Sequence, residues 1–196
     1  MISIKRKQVV FFQLCDMKTL HVDTLLDELQ NIVQTNLAFA KELQENHRDR
    51  MFDSPGPGKW SAVQCLEHLN RYAAFYHPEI ADKLNNNSGD THYKPSWLGN
   101  YFAMSMLPTE KMKTMRTFRS KDPKDEETTI ESAQTFIENQ ERMLSMIEKA
   151  RKSDLGKVKC KTTLGSWLKF KLGDTFRFVV YHEVRHVEQA RKAIGV

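Results

Sequence analysis

The chain has 196 residues, 40% of them apolar and 28% charged, with a net charge of +5. These totals suit one globular domain with a real core, and no apolar run approaches the ~18 residues that a membrane-spanning helix needs. A charge of this size helps attract an anionic ligand but does not by itself argue for nucleic acid.

The first residues hold Lys5, Arg6 and Lys7 ahead of Val9, Val10, Phe11, Phe12 and Leu14. The stretch is short, is broken by Gln13 and lacks a small-residue cleavage site, so it does not read as an export signal. Met17 is a second plausible start. We therefore divide the chain into an N-terminal extension, residues 1–17, and a domain, residues 18–196. The extension reads either as lying outside the core fold or as an extra strand or short helix packed on it.

From residue 19 to about 47, Leu25, Leu26, Leu29, Val33, Leu37, Ala40 and Leu43 recur at threes and fours, which predicts a long amphipathic helix. Asp53-Ser54-Pro55-Gly56-Pro57-Gly58 ends it. Ser61 followed by Gln64 is a capping-box pattern, with Trp60 just outside. It opens a second helix over residues 62 to about 84, with Pro78 expected to kink it and 85–89 closing it. Residues 90–127 read as a long connection with a short helix near 97–106. Lys111, Lys113, Arg116, Arg119, Lys121 and Lys124 make its second half basic, which predicts a solvated loop, with anion binding as the alternative. A third helix is expected over about 128–150. Residues 155–170 are ambiguous between short extended pieces and loop. Gly173-Asp174 then announces a last helix, with Asp174 as its N-cap, reaching about residue 193. The fold class is therefore all-α: a four-helix bundle with a long crossover connection.

The last helix carries the chemistry. At about 100° per residue, His182 and His186 share a face with Thr175, Phe178, Val179, Gln189 and Ala193. Arg177, Tyr181, Val184, Arg185, Glu188, Arg191 and Lys192 take the opposite side. Side chains four apart are neighbours, so both imidazoles can reach one metal ion, or else they satisfy each other or a backbone carbonyl. His68 on the second helix is the best third ligand, because ligands on facing helices converge in a bundle core. His21, His47, His77 and His92 lie near helix ends, beside a proline or in a loop. Three neutral histidines leave a dication an open position, which is a catalytic arrangement.

His182-Glu183-Val184-Arg185-His186 also matches HExxH. Only ten residues follow it, none of them histidine, so the third ligand of a zincin is missing. A di-iron bundle needs a second ExxH, which the chain lacks. Cys15, Cys65 and Cys160 form no CxxC, and their odd number fits free thiols in a reducing cytoplasm.

Two segments together resemble a known family, the DinB/YfiT-like metal-binding bundles. Residues 58–69, Gly-Lys-Trp-Ser-Ala-Val-Gln-Cys-Leu-Glu-His-Leu, are similar to the family's Trp-Ser entry to the second helix with His68 at its end. Residues 172–190 are similar to its final helix, with HxxxH and the following Gln189. The resemblance covers roughly residues 18–194. It implies a four-helix bundle with His68, His182 and His186 as the metal triad, and often a homodimer. It also implies chemistry that is largely thiol-dependent, in transferases using bacillithiol or isomerases using mycothiol, or else metal-dependent hydrolysis. The N-terminal extension and the basic loop match nothing in the family pattern.

The expectation is a metal-dependent enzyme. Zinc or nickel at the three histidines would activate a low-molecular-weight thiol, for S-transfer to a small-molecule substrate, or a water, for hydrolysis. The alternative is a non-catalytic metal-binding or ligand-binding bundle. Gln64 and Tyr72 share the face of His68 and read as substrate or supporting contacts, or as packing. Glu183 reads as orienting a ligand, acting as general base, or pairing with a basic side chain. No membrane partner is expected. Nor is a nucleic-acid partner, because the basic residues are spread along a loop without interleaved aromatics.

Overall fold

We analysed a computed structural model of the chain, which describes residues 18–84, 89–109 and 117–196. The N-terminal extension and Lys111, Lys113 and Arg116 of the basic loop lie outside the described residues. Four long helices form the bundle: α1 (Val22–Asn46), α2 (Ala62–Lys83), α4 (Ile130–Ala150) and α5 (Leu172–Ile194). A short helix, α3 (Trp97–Met106), lies in the long crossover between α2 and α4. No helix among the described residues is long and apolar enough to cross a membrane.

α2 begins where its sequence pattern places it. Gln64 N–H donates to Ser61 Oγ (3.3 Å), and Ser61 N–H donates to Gln64 Oε1 (3.0 Å). Two otherwise orphaned donors are thereby satisfied. α2 packs on α4 and α5, and α1 packs on the same two helices.

Residues 155–170 resolve into a hairpin, β3 (Lys159–Thr162) with β4 (Gly165–Lys171). Cys160, Thr162, Leu168 and Phe170 face inward while Lys159, Lys161, Trp167 and Lys169 face outward. This period-2 alternation is the mark of a half-buried strand. A second short ladder pairs β1 (Leu20–His21) with β2 (His92–Tyr93).

The start of α5 differs from expectation. Lys171, not Asp174, stands at the N-cap. The first amides of the helix are held by backbone carbonyls: Leu172 N–H donates to Val158 O (2.9 Å) and Gly173 N–H to Leu155 O (3.1 Å). Asp174 is thus released from capping and lies fully buried in the first turn. Its carboxylate accepts from Ser96 N–H (3.1 Å), Ser96 Oγ–H (2.6 Å) and the Tyr93 hydroxyl. It docks α3 onto α5 at close range. A Cβ on Gly99 would lie 2.4 Å from Asp174 Oδ2, and one on Gly173 would lie 2.8 Å from the Tyr93 ring.

α3 also accounts for a second departure. Arg177 and Tyr181, expected on the polar side of α5, are buried. Arg177 Nη2–H donates to Asn100 Oδ1 of α3 (2.8 Å), and the Tyr181 hydroxyl donates to Glu28 Oε1 of α1 (3.0 Å). Helical periodicity assumes one wet face. The N-terminal half of α5 has none.

The core has two apolar halves. One gathers Leu26, Leu29, Val33, Tyr76, Ile147, Phe176 and Val180; the other gathers Phe39, Leu43, Leu66, Phe136, Ile137, Val187 and Ala190. Where they meet, each long helix contributes buried polar side chains: Asn36 from α1, His68 and Asn70 from α2, Gln140 from α4, and His182, Glu183 and His186 from α5.

Candidate metal centre

The three histidines sit within this polar layer. His68, two turns into α2, meets His182 and His186 of α5, and one ligand atom from each lies within 4.8 Å of the others. The His68 and His182 Nε2 atoms are 3.3 Å apart. Two nitrogens each about 2.0–2.1 Å from a tetrahedral ion would stand roughly 3.3 Å apart, so this pair is already spaced as ligands. The His186 ring lies 4.5 Å from that of His68 and 4.6 Å from that of His182, centroid to centroid.

Hydrogen bonds fix which nitrogens are free. His68 Nδ1 lies 2.7 Å from the Lys121 backbone carbonyl. A carbonyl only accepts, so Nδ1 carries the proton and Nε2 presents its lone pair. His186 Nδ1 lies 3.1 Å from Gln189 Oε1, which orients that ring in the same way.

Electrostatics favour the same form. Burial lowers the His68 pKa to about 4, against the raising effect of the Lys121 carbonyl. Burial holds His182 and His186 well below the usual imidazole range. The neighbouring histidines and Arg185 push in the same direction. Neutral imidazoles are the metal-binding form, and a buried positive charge at this spot would be costly.

Aromatic rings wall the centre. Trp60 packs on His68 (4.8 Å) and His186 (5.7 Å), Tyr72 on His182 (4.6 Å) and His68 (5.0 Å), and Phe178 stacks on His182 (6.2 Å). Tyr72 is a direct neighbour of two of the histidines. Gln64 spends its polar atoms elsewhere: beyond its capping role, its Nε2–H donates to the Pro123 and Lys124 carbonyls, both at 3.4 Å.

The basic connection is therefore not a free loop where it is described. Arg71 Nη1–H donates to the Asp122 carbonyl (3.1 Å), and the Lys121 ammonium donates to the Arg71 carbonyl. The same ammonium lies 5.6 Å from the centre of the Tyr72 ring. Residues 119–124 strap over the site, and a backbone carbonyl from this strap orients His68. Sequence reasoning missed that contact because a main-chain acceptor leaves no residue-type signal.

Glu183 points elsewhere. It accepts from Asn36 Nδ2–H (3.5 Å), with Gln140 beside it, and among the described residues it forms no ion pair. Burial raises its pKa to about 8, with the two amides opposing. The Glu of the HExxH match is thus directed toward α1 and α4, and the third histidine comes from α2, unlike the zincin arrangement. The described cysteines are unpaired and buried. Burial pushes the Cys65 thiol up and the Cys160 thiol to about 11, which favours the protonated form of both.

The geometry agrees with the comparisons. The family model described as the DinB superfamily matches residues 34–190, a span that includes all three histidines. Searches of curated proteins and of solved structures return no match. A helical bundle with a three-histidine cluster at its centre and a family match over most of its length together establish that the chain belongs to the DinB superfamily.

Proposed function

We propose that this protein is a metal-dependent enzyme that activates a low-molecular-weight thiol, for S-transfer to a small electrophile, or a water, for hydrolysis. The observation that carries this reading is the convergence of three buried imidazoles on one point, two of them oriented by hydrogen bonds at Nδ1. Three protein ligands of this kind leave the fourth position of a dication for an exchangeable group. A bound dication, zinc or nickel for this donor set, lowers the pKa of such a thiol or water and polarises the substrate.

The protein's own residues bind, orient and exclude water. Lys121 O and Gln189 hold the His68 and His186 rings, while Trp60, Tyr72 and Phe178 keep the surroundings dry. Because Cys65 and Cys160 are buried with raised pKa values, neither supplies a nucleophilic thiolate. In this reading the thiol of the reaction comes from a co-substrate. A homodimer in a reducing cytoplasm completes the proposal.

Elemental analysis of untagged protein beside His182→Ala tests it. We expect about one equivalent of metal in the wild type and none in the variant. Consumption of a panel of low-molecular-weight thiols with an electrophile then separates transfer from hydrolysis. Absence of metal in both proteins, even after reconstitution with zinc or nickel, would leave a bundle whose role is non-catalytic.

A further inference from the structure

We propose that the outward face of the β3–β4 hairpin is a docking surface for single-stranded nucleic acid. The antiparallel register sets Lys159 opposite Lys171 and Lys161 opposite Lys169. Like charges directly opposite on one sheet face repel and destabilise the pair. Among the described residues, none of these four ammonium groups has a carboxylate partner; Lys171 donates instead to the Lys94 carbonyl at 2.9 Å. The face is thus a compact cationic ladder, its rungs about 6.6–6.8 Å apart along each strand.

The second observation is independent of charge. Trp167 is 79% exposed, the most exposed large apolar side chain among the described residues. It is two residues from Lys169 and on the same outward side of β4. The core is filled by the inward side chains of β4, Leu168 and Phe170, and the indole covers only Gly165 at the turn, where an added Cβ would lie 2.9 Å from its Nε1. A solvent-facing ring interleaved with lysines is what single-strand binding requires: bases stack on the aromatic face while ammonium groups meet the phosphates. The basic loop offered no such interleaving. The hairpin does, but only once the register brings residues 159–161 against 169–171.

The surroundings favour a strand over a lipid surface. Glu79 accepts the Lys161 backbone N–H (2.8 Å), Asp82 lies close enough to Lys161 to feel its charge, and Asp90 and Asp154 both pair with Lys157. A broad anionic membrane would be pressed against these carboxylates. A single strand is narrow enough to follow the lysine rows to Trp167.

The test is fluorescence anisotropy of the full chain with labelled oligothymidylate and oligouridylate of about 12 nucleotides, across a salt series. The three lysines whose ammonium groups are free of the fold, Lys159, Lys161 and Lys169, predict a slope of log K against log salt of about −2. Lys161→Glu with Lys169→Glu should weaken binding at least tenfold and flatten the slope. Trp167→Ala should weaken it roughly 5- to 150-fold, the range for losing one stacked base, and Trp167→Phe should restore most of the loss. All these positions are on the surface, and unchanged helical circular dichroism would show that the variants fold. Three results would overturn the proposal. One is no binding at low salt. Another is binding that both sets of variants leave intact. The last is equal affinity for a duplex with indifference to Trp167→Ala, or preferential sedimentation with phosphatidylserine vesicles, which would mark the face as a general polyanion or lipid contact.

Discussion

At the scale of single residues, the buried polar groups divide by whether they have a partner. His68 and His186 have each given one ring nitrogen a hydrogen bond and keep the other for a ligand. His77 has neither. It is 2% exposed on α2, and both ring nitrogens lack a partner. Burial, with Arg142 adding to it, lowers its pKa to about 4. Above the unfolded value near 6.5 both states hold a neutral ring, and pH has no effect through this residue. As pH falls below 6.5 the unfolded chain takes up the proton and the native state does not, so stability drops until pH reaches about 4. The loss amounts to about 3 kcal/mol. Urea unfolding of His77→Leu and wild type between pH 7 and pH 4 should show the variant losing that much less; equal losses would mean that His77 finds a partner or water. The meeting of the three histidines was legible in the sequence because its signals are local: a pair four apart, and a capping box two turns before His68. Glu183 was not. Its partner Asn36 and its neighbour Gln140 are distant in sequence, and each reads as an ordinary helix-surface amide.

Among the elements, legibility followed the length of the repeating pattern. The four long helices, and α3, fell close to where periodicity and caps placed them. The hairpin stayed ambiguous because β3 has only four residues and β4 seven, too few for alternation to be told from loop. Asp174 was misread because a Gly-Asp pair before an apolar run looks like a cap, whereas carbonyls of residues 155 and 158 already hold the first amides. These two acidic and hydroxyl anchors can be compared by experiment. Ser61→Ala removes one neutral hydroxyl acceptor from a helix start, and should cost about 1 kcal/mol in urea unfolding. Asp174→Ala strands the Tyr93 hydroxyl and the Ser96 amide and leaves Arg177 without its nearest carboxylate, 4.0 Å away. It should cost about 3 kcal/mol. An Asp174 variant no worse than the Ser61 variant would show that α3 docks through its apolar contacts with α5 instead.

For the whole molecule, the arrangement of the core decides what a metal does to stability. Each apolar half is closed by side chains from α1, α2, α4 and α5 without help from the histidines. The bundle should therefore fold without metal, and a chelator should leave its helical circular dichroism unchanged. The polar layer is different. There α2 and α5 meet through three imidazoles, and an ion bound to all three exists only in the native state. Such a ligand stabilises by mass action, by about 2.7 kcal/mol when its concentration is a hundred times its dissociation constant. For a chain of this size one kcal/mol moves the midpoint by roughly 2–4 °C. Zinc or nickel at that excess should thus raise Tm by roughly 5–10 °C, and a chelator should reverse the rise. His182→Ala, which keeps both apolar halves, should melt at one temperature with or without metal. The contrast separates a bound centre from non-specific effects of the ion, because those would shift both proteins alike. A wild-type transition indifferent to metal and chelator would mean that the three histidines only satisfy one another, and that the polar layer is a feature of packing alone.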